Sequence, residues 1–110
     1  MAEPTLQMIF GTNATQTATT LTIQKADLPQ LTATANNSGE SLLAAILLLA
    51  KTILTPTRQE TNPEQSITII DDPITPVSYI TRNEQRYTQI TQSINFQEIA
   101  NNVGINPNNY

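Results

Sequence analysis

The chain of 110 residues contains no cysteine, no histidine and no tryptophan. Without cysteine it can form neither a disulfide framework nor a thiolate metal site, and it has no thiol nucleophile. Without histidine it lacks the commonest general base and the commonest zinc ligand of proteins. Its three glycines, at positions 11, 39 and 104, are too far apart for a loop that cradles a phosphate. These absences predict a protein that is not an enzyme and that holds no cofactor.

Positive charge is also scarce. Five basic residues stand against nine acidic ones, which gives a net charge of −4 at pH 7. Proteins that bind a nucleic-acid backbone need a basic surface to displace its counterions. Arg82 and Arg86 do lie close in sequence to Tyr79 and Tyr87, but Glu84 lies between them, so contacts across a hairpin are the simpler expectation. We therefore expect no nucleic-acid partner.

Long apolar runs that could cross a membrane are missing. The longest apolar segment spans 13 residues, 42–54, and is interrupted by Lys51 and Thr52, whereas a bilayer requires about 20 residues. Residues 1–4 include an acid and a proline where a secretory signal has basic residues and an apolar core. The sequence predicts a cytoplasmic protein with no membrane partner.

The apolar residues that are present are mainly aliphatic. The chain has 13 isoleucines and 10 leucines but only two phenylalanines. A chain of this length buries roughly two-thirds of its unfolded surface and has room for one core. Because isoleucine is β-branched and favours strands, we expect sheet around the leucine-rich helix described next. The sequence predicts a single α+β domain over residues 1–110.

The clearest element is a helix around residues 42–50, where nine consecutive residues are apolar and all except Ile46 are strong helix formers. Asn37 is the predicted N-cap, because Glu40 then falls at the third helical position and completes a capping box. Thr55 is expected to end the helix, because the residue before a proline is pushed out of the helical conformation.

The side of this helix that faces away from the sheet is unusual, because Ala44, Ala45 and Leu48 are apolar where a solvated helix would be polar. Small residues allow a second backbone to approach closely, and full burial of Leu48 would contribute about 1.5–3 kcal/mol. These three residues are therefore candidates for an interface. In the alternative, a loop of the same chain covers part of Leu48, or the residue is simply exposed.

Alternating apolar and polar residues predict strands on both sides of the helix. Before it, residues 5–10 and 19–25 are expected to pair as a hairpin across a loose loop. After it, residues 55–66 contain no apolar residue and are predicted to be a solvated, mobile linker.

The second half of the chain predicts three further strands and a helical turn. Residues 67–70 form a short strand, and residues 77–82 and 86–96 form a hairpin around residues 83–85. Phe96, Ile99 and Val103 have helical spacing, which predicts a short C-terminal helix that ends at Gly104.

This ββαβββ order predicts a single antiparallel sheet of four or five strands with the long helix packed on one face and a short C-terminal helix. The other face of that sheet is left open, and Ile9, Ile70 and Ile80 fall off the main alternation and are candidates for it. Another copy of the chain commonly covers such a face or edge. We therefore expect a homo-oligomer, a dimer or a ring, that acts as a structural or adaptor protein through self-assembly or through binding of a protein partner.

Asp71 and Asp72 are weak candidates for a metal site, since carboxylate oxygens are the ligands that Mg²⁺ and Ca²⁺ prefer. With Tyr79 or Arg82 nearby, they define an alternative function, a small-ligand or divalent-metal module. Adjacent strand residues point to opposite faces, however, and aspartate before Pro73 is common in turns, so a structural role is favoured. The last alternative is a hydrolase with two carboxylates in one cleft.

Overall fold

The structure, a computed structural model, describes residues 3–98 and 104–110. It confirms a mixed fold with one long helix and small antiparallel strand pairings. In the described part, no helix is long and apolar enough to cross a membrane. The elements in chain order are α1 (Leu6–Phe10), β1 (Thr15–Gln16), β2 (Leu21–Thr22), α2 (Gly39–Ile53), α3 (Pro56–Thr61), β3 (Ile67–Asp71), β4 (Val77–Arg82), β5 (Gln85–Ile90) and β6 (Gln92–Phe96), with 3₁₀ turns at Lys25–Asp27 and Pro107–Asn109.

Helix α2 is the predicted long helix, but its N-cap is Ser38 and not Asn37. The Ser38 hydroxyl accepts a hydrogen bond from the Ser41 amide at 3.1 Å. The Asn37 side chain is held by the preceding turn, where its Oδ1 accepts from the Thr34 amide at 2.9 Å and its Nδ2 donates to the Thr32 carbonyl at 3.0 Å. Asn37 therefore organises the approach to the helix and leaves the capping to its neighbour.

The predicted strand at residues 5–10 is wrong, because this segment forms the short helix α1. The Thr5 hydroxyl caps it by accepting from the Met8 amide at 3.2 Å, and α1 packs against α2. Without this strand the expected first hairpin shrinks to the two-residue pairing of β1 with β2, in which Thr15 lies opposite Thr22.

Residues 55–66 are ordered by polar contacts and contain α3, so the predicted solvated linker is also wrong. Gln65 is 2% exposed, and its Nε2 donates to the carbonyls of Thr55 at 3.0 Å and Ile67 at 3.1 Å. The Thr55 hydroxyl caps α3 by accepting from the Arg58 amide at 3.1 Å. Side-chain amides thus replace the apolar contacts that this segment lacks.

The strands after α3 pair two by two in place of the predicted single sheet. β3 pairs with β6, with Ile69 opposite Ile94, and β4 pairs with β5 across a turn formed by Asn83 and Glu84. These two turn residues have φ of 51° and 62°, as the tight type I′ turn of a hairpin requires. Because β5 continues past Thr91 into β6, the four strands form one long ribbon that is two strands wide.

Two backbone hydrogen bonds at Thr91 join the halves of this ribbon. The Asp72 amide donates to the Thr91 carbonyl at 3.0 Å, and the Thr91 amide donates to the Pro76 carbonyl at 2.9 Å. Thr91 alone lies opposite residues 72–76, so the longer side bends away at this point. The ribbon therefore extends outward instead of widening into a sheet.

The core lies at the β3 end of the ribbon. Ala50, Leu54 and Ile69 are buried together, and Ile9 and Ile67 pack against them. The Ile69 amide donates to the Leu54 carbonyl at 2.9 Å, which attaches β3 to the end of α2. The radius of gyration is 16.2 Å, against roughly 13 Å for a compact domain of about this length, because β4 and β5 project from this core.

At the C-terminal end, Phe96 lies in β6 and not in a helix. Its ring contacts Tyr110 edge to face, with the ring centroids 5.6 Å apart. The predicted terminal helix falls mainly on residues 99–103, which lie outside the described residues. Gly104, the predicted end of that helix, has a positive φ of 98°.

Candidate interaction surface

The projecting end of the ribbon exposes several large apolar side chains. We call β4, β5 and their turn, residues 77–90, the arm. Every residue of the arm is exposed except Ser78, which is half-buried. The arm is therefore an ordered hairpin whose side chains are left largely uncovered.

The two faces of the arm differ in exposure. Val77, Tyr79 and Ile90 share one face, which we call the outer face, and are 53%, 64% and 68% exposed. Ile80 and Tyr87, on the opposite face, are 39% and 37% exposed. Val77 and Ile90 lie directly opposite each other, so they form a cross-strand pair with water on one side. A pair of this kind stabilises a sheet more when another surface covers it.

Two cation–π contacts organise the arm, one on each face. The Arg86 guanidinium lies 4.2 Å from the centre of the Tyr79 ring, and that of Arg82 lies 4.2 Å from the centre of the Tyr87 ring. Each contact joins diagonal neighbours across the two strands and is worth about 0.5–1 kcal/mol at an exposed site. The predicted gathering of these four residues is thus observed, with each arginine over the ring of a tyrosine.

Both long edges of the arm carry backbone groups that point away from the hairpin. In an antiparallel pair the residues alternate between those that hydrogen-bond to the partner strand and those that point outward. The two-residue turn makes Arg82 and Gln85 a bonded pair, and the bond between Thr91 and Pro76 continues the same alternation. The outward groups therefore belong to Val77, Tyr79 and Thr81 on β4 and to Arg86, Thr88 and Ile90 on β5.

The structure places both carboxylates of the predicted metal candidate in contacts with the protein. Asp71 Oδ1 lies 2.6 Å from Lys51 Nζ, and this hydrogen bond lowers the pKa of the Asp71 carboxyl below its ordinary value. Asp72 Oδ1 accepts from the amides of Ile74 at 2.9 Å and Thr75 at 3.2 Å, which closes the turn at residues 72–76. In the described ranges, no three acidic side chains come together in a group that could hold a metal ion.

The candidates on the back of α2 are partly covered by the same chain. Ala45 is 4% exposed and Leu48 is 39% exposed, while Ala44 remains exposed. Leu48 lines a groove of about 210 Å³ together with Pro29 and Leu31 of the segment that precedes the helix. Leu48 thus lies next to this segment and still remains exposed, and its role as an interface residue stays a prediction.

The three isoleucines assigned to an open sheet face are not brought together. Ile9 packs on the core from α1, Ile70 is half-buried in β3, and Ile80 lies on the arm. Sequence analysis overlooked Val77 and Ile90 as candidates. The sequence does carry the signal, because both residues are equally far from the turn at Asn83 and Glu84 and therefore must pair.

The feature that stands out at this site is the set of exposed apolar side chains on the arm. Comparisons with protein-family models, with curated proteins and with solved structures find no significant match to this chain.

Proposed function

We propose that this protein is a non-catalytic structural or adaptor protein that acts through self-association, and that the arm makes the contact between copies. The observation that carries this proposal is the exposure of Val77, Tyr79 and Ile90 on an ordered hairpin. A monomer gains nothing from holding these side chains in water, whereas a second copy of the chain can bury them.

The energetics favour a contact that uses the whole arm. Full burial of one valine or isoleucine contributes about 1.5–3 kcal/mol, while association costs about 4–15 kcal/mol in lost freedom of movement. One side chain cannot offset that cost. Several apolar residues of the arm, supported by backbone hydrogen bonds, can do so.

Charge also supports a second copy as the partner. The arm has a net charge of +1, from Arg82, Arg86 and Glu84. The whole chain has a net charge of −4, so the residues outside the arm together carry −5. When the tip of an arm reaches past the arm of a second copy, it therefore approaches a surface of opposite sign, which favours encounter between copies.

The test is the mass of the wild-type protein and of a Val77→Thr, Ile90→Thr double variant, measured by light scattering after size exclusion. We expect the wild type to associate across the micromolar range and the double variant to elute near the chain mass of 12.1 kDa. Threonine keeps the β-branched shape and the strand propensity of these positions, so the hairpin should persist.

Leu21→Thr is the matched control, because Leu21 is an apolar strand residue that is 49% exposed outside the arm. This variant should associate like the wild type. Association that is lost in Leu48→Glu but kept in the arm variant would assign the contact to the back of α2 instead. A wild type that stays monomeric throughout the range would contradict the proposal.

The cytoplasmic location expected from the sequence remains a prediction.

A further inference from the structure

We propose that two copies pair through the outward edge of β4, antiparallel and related by a two-fold axis near Tyr79. The product is a continuous four-stranded sheet in the order β5, β4, β4 of the second copy, β5 of the second copy. This inference rests on the proposed function and specifies the contact that produces the assembly.

The edge of β4 has the backbone pattern that strand pairing requires. The amides and carbonyls of Val77, Tyr79 and Thr81 point away from β5, and they make no hydrogen bond among the described residues. None of the three is charged, and no proline or bulge interrupts the strand. Natural proteins usually protect a free edge with one of these features. An edge that lacks all of them is suited to accept another strand.

The edge of β5 is less suited to pairing. Arg86, which belongs to that edge, carries a charge, and its carbonyl already accepts a hydrogen bond from the Gln85 side-chain amide at 3.4 Å. Strand pairing there would have to displace this contact. The β4 edge requires no such rearrangement, and we therefore assign the contact to it.

Charge selects the antiparallel arrangement. The tip of the arm carries Arg82 and Arg86. The turn at residues 72–76, next to the base of the arm, contains Asp72, whose carboxylate makes no ion pair within the described residues. An antiparallel pairing brings the tip of each arm beside the base of the other, so Arg82 approaches the turn that holds Asp72 of the second copy. A parallel pairing would instead bring the positively charged tips together.

The alternation of outward residues also sets the register. With the axis at Tyr79, this residue lies opposite Tyr79 of the second copy, and Val77 lies opposite Thr81 of the second copy. Each of these pairs exchanges two backbone hydrogen bonds. The outer faces of both arms then lie on the same side of the new sheet. Tyr79 packs beside Tyr79 of the second copy and Val77 beside Thr81 of the second copy, so these side chains lose contact with water at the seam, while Ile90 supports Val77 from the neighbouring strand.

The experiment compares two threonine-to-proline variants. Thr81 and Thr88 are both exposed and both point their amides outward, Thr81 from β4 and Thr88 from β5. Proline removes the amide and blocks an added strand, yet an edge strand tolerates it because the hairpin does not use that amide. We expect Thr81→Pro to raise the dissociation constant at least about tenfold, because the lost hydrogen bond occurs twice in a two-fold dimer. Thr88→Pro should associate like the wild type.

Amide hydrogen exchange of the wild type gives a second measurement that requires no substitution. Exchange at Tyr79 and Thr81 should slow as protein concentration rises, while exchange at Thr88 and Ile90 should not change. This result would support the pairing even if Thr81→Pro failed to fold.

The outcomes separate this inference from the proposed function. One outcome would overturn the β4 pairing alone: the wild type associates and the Val77→Thr, Ile90→Thr double variant does not, but the two proline variants behave alike and exchange at Tyr79 does not depend on concentration. Self-association through the arm would then stand. Disruption by Thr88→Pro alone would also overturn the β4 assignment. A wild type that is monomeric throughout would overturn both proposals.

Discussion

Lys51 Nζ lies 2.6 Å from Asp71 Oδ1 and joins the last turn of α2 to the end of β3. The pair lies at the end of β3, where the ribbon leaves the core. Both side chains remain accessible to water, Lys51 at 31% and Asp71 at 56%. Solvent therefore screens the attraction, and its contribution is that of a surface ion pair.

The first prediction concerns the pH dependence of this pair. The hydrogen bond from Lys51 lowers the pKa of the Asp71 carboxyl below 3.8, against an opposing effect of desolvation. A lowered folded-state pKa stabilises the fold above pH 3.8, and that stabilisation is lost as the pH falls through the folded-state value. Wild type should therefore be slightly more stable than Asp71→Asn at pH 7, and the difference should disappear in acid.

Urea unfolding at a series of pH values measures this difference, and added salt should reduce it. In a Lys51→Met background, Asp71→Asn should lose its effect, because the partner is already absent. A difference between wild type and Asp71→Asn that increases as the pH falls would show that the pair is not its source.

The second prediction concerns divalent cations at the same position. The Asp71 carboxylate already accepts a hydrogen bond from Lys51 Nζ. The Asp72 carboxylate accepts from the amides of Ile74 and Thr75 in its own turn. We therefore expect neither Mg²⁺ nor Ca²⁺ to raise the melting temperature of the wild type. A rise in wild type that vanishes in an Asp71→Asn, Asp72→Asn double variant would favour the metal-binding alternative.

Helix α2 and a hairpin that starts at Val77 were predictable because their signals are local, although the second strand was expected over residues 86–96 and ends at Ile90. Nine consecutive apolar residues specify the helix, and the hairpin needs only β-forming segments on both sides of a short polar turn. Residues 5–10 carry no such signal. Their apolar residues suit a strand as well as a helix, and packing against α2 decides between the two conformations.

The outer face of the arm was missed for a related reason. A single wide sheet would give β4 and β5 neighbours that cover Val77 and Ile90, so these residues did not stand out. The pairing of β6 with β3 past Thr91 is a long-range contact that no local pattern encodes. Only Ile80 of the arm was identified as an interface candidate, because it falls off the simple alternation.

The third prediction concerns the polar segment that sequence analysis took for a linker. Gln65 is buried and donates to the carbonyls of Thr55 and Ile67, while its own Oε1 has no partner among the described residues. Gln65→Leu leaves both carbonyls without this donor, and we expect a loss of about 1–3 kcal/mol in the free energy of unfolding. Chemical denaturation measures it.

Gln24→Leu is the control, because Gln24 is exposed and its side chain makes no hydrogen bond in the described structure. That variant should unfold within about 0.5 kcal/mol of the wild type. Equal stability of Gln65→Leu and Gln24→Leu would mean that the amide does not hold the segment in place.

The fourth prediction compares two glycines. Gly11 has a φ of 114°, and a Cβ added there would lie 2.7 Å from Asp27 Cβ. The backbone can accept alanine only with strain, and the Asp27 side chain cannot move freely, because its carboxylate accepts from the Asn13 amide at 3.0 Å and from the Asn13 side chain at 3.2 Å. Gly11→Ala should therefore destabilise the fold by at least about 1–3 kcal/mol.

Gly39 is the matched control, because it begins α2 with no heavy atom within 4 Å of an added Cβ. Gly39→Ala restricts the unfolded chain without straining the folded one, so we expect a gain of about 0.4–1 kcal/mol. Thermal and urea unfolding of both variants should give shifts of opposite sign. If Gly11→Ala were as stable as the wild type, the contact between Gly11 and Asp27 that closes this turn could not be as tight as the structure shows.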